Sequence, residues 1–154
     1  MKQLFTVICL FCLINLTLAQ DEKARVKHYN LEDKVALSGF DPVTYFVNKP
    51  VKGKKEFSHT HKGVIYYFIN EKSKAVFIAN PEKFEPEYGG WCAYALAKDE
   101  PVLMEANPKT FKITNGKLYV FYDKFGINKL KPWVEDEETL MKKANKNWEK
   151  IISE

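Results

Sequence analysis

Tyr66-Tyr67-Phe68-Ile69-Asn70-Glu71-Lys72-Ser73-Lys74-Ala75-Val76-Phe77-Ile78-Ala79-Asn80-Pro81-Glu82-Lys83-Phe84 is the stretch on which the fold turns. Val64 to Ile69 reads as a strand, joined to a strand over Glu56 to His61 by Lys62-Gly63, a short hairpin signal. Asn70 is a good N-cap for a helix from Glu71 to Ala79, because its side-chain oxygen can accept from a free N–H of the first turn. Ala75, Val76 and Ala79 recur at spacings of three and four, and Phe77 and Ile78 widen that apolar face. Asn80-Pro81 ends the helix, and Pro81 can start a further short turn through Phe84.

Upstream, Val35-Ala36-Leu37 is a short first strand turned by Ser38-Gly39. Asp41 then caps a helical turn, with Pro42 in the first-turn position where a missing N–H costs nothing. Downstream, Glu85 to Gly90 is an irregular link. Trp91 to Leu96 is a short helix or a buried strand, which periodicity does not separate. Phe111 to Thr114 and Lys117 to Phe121 flank Asn115-Gly116, the strongest short hairpin signal in the chain. Asp136 caps a last helix with Glu137 and Glu138 in its first turn. Leu140, Met141, Ala144, Trp148, Ile151 and Ile152 give that helix one apolar face. The sum is a small single α+β domain of short antiparallel strands and hairpins with a docked C-terminal helix.

The N-terminus points to export. Lys2 is a small positive region, Leu4 to Leu18 is an apolar run broken only by Thr6, Asn15 and Thr17, and Thr17-Leu18-Ala19 offers small residues to a signal peptidase. The run is shorter than the roughly 20 apolar residues of a spanning helix. The expected organisation is a signal peptide over 1–19, a loosely held polar arm over 20–34 and the domain over 35–154, in the periplasm or secreted, with no membrane association after cleavage. Removing Lys2 with the leader takes the net charge from +4 to +3. The excess is spread as Lys beside Glu, without the basic block of a nucleic-acid footprint. Cys9 and Cys12 leave with the leader, so Cys92 is the one thiol of the mature chain and no internal disulfide forms there.

Beyond the opening stretch, four segments carry a resemblance. They are Ser38-Gly39-Phe40-Asp41-Pro42-Val43-Thr44-Tyr45-Phe46, Glu87-Tyr88-Gly89-Gly90-Trp91-Cys92-Ala93-Tyr94-Ala95, Asn115-Gly116-Lys117-Leu118-Tyr119 and Ala144-Asn145-Lys146-Asn147-Trp148. Together they resemble the stand-alone, exported YHS domain proteins of bacteria over nearly the whole mature chain. The resemblance implies a YHS-like fold and, by extension from cysteine-bearing relatives, a heavy-metal role. It also implies thiols after the Asp-Pro-Val, after the Tyr-Tyr-Phe and one helical turn later. This chain has Thr44, Ile69 and Ser73 at those places.

Several residues are then candidates. Tyr88-Gly89-Gly90-Trp91-Cys92 sets a thiol beside large rings, either as a ligand-binding residue or as a tight turn delivering Trp91 and Cys92 into the core. His59 and His61 lie two apart on a strand, so both imidazoles share a face and could join Cys92 on a copper or zinc ion, copper first because thiolate is soft. Asp41 with Tyr45 one turn later is a pocket pair or a helix cap with a packed ring. No base stands at a local spacing from Cys92 that would activate it as a nucleophile. The expectation is a non-enzymatic binder of a small ligand or soft metal ion, with Asp41, Tyr45, Tyr88 and Cys92 lining the pocket. An interaction or structural module with an inert Cys92 is the alternative, and a thiol enzyme the third reading.

Overall fold

The computed structural model describes residues 22–154; the leader expected over 1–19 and the first two residues of the arm lie outside them. Residues 22–28 are helical (α1). Strands β1 (Leu31–Glu32), β2 (Val35–Ala36), β3 (Lys54–His61) and β4 (Val64–Phe68) form a sheet in the order β1-β2-β4-β3. Its pairs are antiparallel except β2 and β4, which run parallel through Val35 and Ile65. The β3–β4 hairpin turns at Lys62 (φ 45) and Gly63 (φ 78), as Lys62-Gly63 predicts. Helices α2 (Glu71–Ala79) and α3 (Pro81–Phe84) follow, and Asn70 Oδ1 accepts from the Ser73 N–H at 2.9 Å, so the cap works as read.

A turn over Glu87–Gly90 leads into α4 (Ala93–Leu96). Hairpin β5 (Asn107–Thr114) and β6 (Lys117–Phe121) closes on Asn115-Gly116, both at positive φ. Hairpin β7 (Asp123–Lys124) and β8 (Ile127–Asn128) and helix α5 (Leu130–Glu135) precede the C-terminal helix α6 (Glu137–Ile152).

Strand β6 organises the interior. Alternate side chains of a strand point to opposite faces, and both faces of β6 are covered. Leu118 and Val120 join one core with Ala36, Tyr45, Tyr66, Phe68 and Phe77. Tyr119 and Phe121 join a second with Tyr88, Cys92, Leu96, Trp133 and Ala144. The uninterrupted apolar run Leu118-Tyr119-Val120-Phe121 is the composition that a strand buried on both sides needs.

Four local expectations are corrected. The arm is packed: the Trp91 indole donates to the His28 carbonyl at 2.7 Å, and Asn30 bonds the Gly89 and Gly90 carbonyls. Helix α2 buries Ser73 and Phe77, one turn apart, and leaves Ala75, Val76, Ile78 and Ala79 outside, because a polar partner draws Ser73 inward. Asp136 makes no side-chain cap. Glu137 instead accepts from Trp133, Thr114 and Lys112, which fastens the start of α6 to β5 and α5. Leu140, Met141, Ala144, Trp148 and Ile151 dock α6 on the second core, while Ile152 stays largely exposed. From the same helix, the Asn147 amide donates to the Leu96 and Lys98 carbonyls, satisfying the end of α4.

Candidate functional site

The four residues expected to line one pocket are divided by β6. Asp41 and Tyr45 belong with the first core, and Tyr88 and Cys92 with the second. Asp41 is fully buried, and its carboxylate is saturated by the chain itself. Oδ1 accepts from Val43 N at 2.9 Å, and Oδ2 accepts from Ile69 N at 2.9 Å and from the Ser73 hydroxyl at 2.6 Å. Its backbone carbonyl accepts from the Thr44 hydroxyl at 2.7 Å. Thr44, Ile69 and Ser73, the places where the resemblance implies thiols, therefore do converge, but on an Asp41 hydrogen-bond knot. A buried carboxylate held by three donors needs no further cation. The Tyr45 hydroxyl donates to the Pro108 carbonyl at 2.7 Å, and burial, with Asp41 nearby, pushes its pKa upward.

His59 and His61 share a face of β3, as the alternation predicts, but that face meets the Phe77 ring, with centroids 6.3 and 6.2 Å away. Cys92 is completely buried in the other core, and burial raises its thiol pKa. Among the described residues no three His, Cys, Asp or Glu side chains gather as metal ligands. The copper or zinc site expected from Cys92, His59 and His61 is not assembled, because the thiol is buried in the second core whereas the imidazoles lie against Phe77 of the first. The donors that the described residues bring together do not fit either metal.

A different constellation is assembled, from Arg25 of the arm, Glu85 of the link, and Tyr66 and His61 of the β3–β4 hairpin. Glu85, just after α3, is buried. Its Oε1 accepts from the Arg25 guanidinium of α1 and, at 2.5 Å, from the hydroxyl of fully buried Tyr66. The Arg25 guanidinium also lies 4.6 Å from the centre of the Tyr29 ring. Burial opposes the Arg25 charge, yet Glu85 outweighs it and the pKa rises. Burial, and the contact with the Glu85 carboxylate, push Tyr66 well above its usual value. His61 stands in the same field. Burial lowers its pKa, with Arg25 and Lys62 in the same direction and Glu85 and Glu82 opposing. Two buried side-chain polar atoms lack a hydrogen-bond partner among the described residues, Arg25 Nε and His61 Nε2, although His61 Nε2 lies 3.8 Å from Glu82 Oε1.

Beside the cluster opens a cleft of about 150 Å³, lined by Tyr29, Tyr88 and Trp148 together with Glu82, Glu85 and Glu87. It lies at the seam of the two cores, since Tyr29 packs on the first and Tyr88 and Trp148 belong with the second. The Trp148 ring centre is 6.0 Å from that of Tyr29 and 6.4 Å from that of Tyr88. The Tyr88 hydroxyl donates to Asn145 Oδ1 at 2.8 Å, which fixes its ring. Tyr88 (φ 56), Gly89 (φ 60) and Gly90 (φ 85) form a left-handed run, and a Cβ on residue 89 would meet the Tyr29 ring at 2.7 Å. Gly89 thus allows the contact that brings Tyr29 to the cleft. Of the expected pocket residues, Tyr88 alone lines this cleft. The Tyr88-Gly89-Gly90 motif was the available signal for it; nothing local in the sequence marks Arg25 or Glu85. Comparisons with protein-family models, with curated proteins and with solved structures found no match.

Proposed function

We propose that this chain is an exported, YHS-like, non-enzymatic binding domain for a small ligand, and that the ligand occupies the cleft at Tyr29, Tyr88, Trp148 and Glu85. The observation that carries the reading is the cleft itself, walled by three rings and three carboxylates and joined through Glu85 to the buried Arg25–Glu85–Tyr66 cluster. Titratable groups perturbed by burial beside a cleft support the same reading. Cys92 has no part in it: a fully buried thiol with a raised pKa favours neither metal nor nucleophilic chemistry. Export rests on the apolar segment ending at Thr17-Leu18-Ala19.

The test is a chemical-shift screen of isotope-labelled protein against mixtures of small polar compounds. Hits should perturb the Trp148 indole and the Tyr29 and Gly89 amides. Hits that cluster elsewhere, or reproducible labelling of native Cys92 by a thiol reagent on mixing, would overturn the assignment. One feature favours a second reading, an interaction module. Phe125 sits at the tip of the β7–β8 hairpin, 92% exposed and at φ 54, a conformation that suits Gly or Asn better than an aromatic residue. It adds nothing to the core, and Phe125→Asn should leave the fold intact while abolishing any partner binding that depends on it.

A further inference from the structure

Resting on the cleft reading above, we infer that the ligand class is a small organic cation bearing an alkylated ammonium group. Three kinds of ligand can be weighed against the walls. An anion would meet the carboxylates of Glu82, Glu85 and Glu87 in the lining, whereas their cationic partners Lys62, Arg25 and Lys117 stand outside it. A purely apolar ligand would strip water from carboxylates without replacing it, which is costly. A cation gains from both components of the wall, the carboxylates by charge and the rings, the part-exposed Trp148 indole foremost, by cation–π attraction.

The structure already holds one cation in this way. Arg25 lies over the Tyr29 ring while pairing with Glu85, and both its contacts and those of Tyr66 fall on Oε1, so the other oxygen is the one left for a ligand in the cleft that Glu85 lines. The remaining glutamates are held by weak partners. Glu87, itself part-buried, pairs with exposed Lys117 at 3.1 Å, and exposed Glu82 pairs with Lys62 at 3.6 Å and His61 Nε2 at 3.8 Å. Exposed pairs of this kind are worth about 0–1 kcal/mol, so an incoming cation displaces them readily. The rings favour an alkylated over a bare ammonium, because methyl groups add apolar contact and carry less hydration. A volume of about 150 Å³ suits a head group and a short tail, not a chain or a nucleotide.

The experiment titrates choline chloride, its neutral carbon analogue 3,3-dimethylbutan-1-ol and sodium acetate into the folded protein, following the Trp148 indole resonance, assigned with Trp148→Phe. Choline should bind saturably and about ten-fold more tightly than the neutral analogue, and acetate should not compete. Glu82→Gln/Glu87→Gln alters exposed or half-exposed side chains and should weaken choline several-fold with no change in the melting midpoint. Equal binding of choline and the neutral analogue, or preferential binding of acetate, overturns the cation class and leaves the cleft standing as a site. If none of the three moves Trp148 while the broader screen still finds cleft hits, the class is again wrong; if that screen also finds none there, the site itself fails.

Discussion

At the scale of single residues, Asp41 shows how one side chain can decide between two chemistries. Its carboxylate gathers Val43 N, Ile69 N and the Ser73 hydroxyl, and so closes the turn over Pro42–Val47 against the end of β4 and the first turn of α2. Asp41→Asn replaces one acceptor oxygen with an amide NH2 facing donors and should cost about 2–3 kcal/mol in denaturant unfolding; an unchanged midpoint would show that the knot is not formed. His61 carries a pH dependence. Its folded pKa is below the ordinary 6.5, so the unfolded chain binds the proton first as pH falls. The groups facing it are Arg25 and Lys62, which favour that shift, and Glu82 and Glu85, which oppose it. Stability is therefore complete above about pH 6.5 and declines as pH drops below it, levelling once the folded imidazole also protonates. Melting curves between pH 7.5 and 5 should be steeper for wild type than for His61→Gln; parallel curves would remove His61 from the account.

At the scale of elements, the notable case is α1. A polar segment with no apolar period is held to the domain by one buried ion pair, one stacked ring and the bonds from residues 28–30 to residues 89–91. Arg25 and Glu85 side chains are only 12% and 10% exposed, so neither is at home without the other. Arg25→Met should destabilise by about 3–5 kcal/mol, because it leaves the Glu85 carboxylate buried without its cation, and Arg25→Met/Glu85→Gln should recover part of that loss. Thermal unfolding of the two variants distinguishes a working buried pair from a surface contact, for which both would sit within about 0.5 kcal/mol of wild type. Helix α2 makes the complementary point. Its apolar residues at helical spacing lie outside, and Ser73 lies inside, because a hydroxyl bonded to a buried carboxylate is worth more there than a methyl group.

At the scale of the whole molecule, β6 joins two cores into one folding unit. Leu118 and Phe121 lie on its opposite faces and both are fully buried. Leu118→Ala and Phe121→Ala should each cost about 2–5 kcal/mol, and both should shift a single cooperative transition measured by far-UV and by aromatic near-UV signals. Separate transitions for the two signals would mean that the cores melt independently. The candidate cleft depends on this arrangement, since its rings come from the packing around both cores and its carboxylates from α3 and the link that follows it.

What could be read from the sequence alone was what neighbouring residues settle between themselves. Asn70 capping α2, Pro42 opening a turn under Asp41, the glycine hairpins at Lys62-Gly63 and Asn115-Gly116, and the docking stripe of α6 are all local matters of backbone freedom, hydrogen bonding and periodicity. The left-handed run at Tyr88-Gly89-Gly90 was flagged by its glycines, and it does border the cleft. Tertiary structure alone decided which distant residues meet. It put Cys92 in one core and His59 and His61 against the other, and it brought Arg25 to Glu85 across sixty positions of chain. A buried ion pair leaves no periodic mark, because each partner is a charged residue indistinguishable in sequence from its solvated neighbours until the fold removes the water around it.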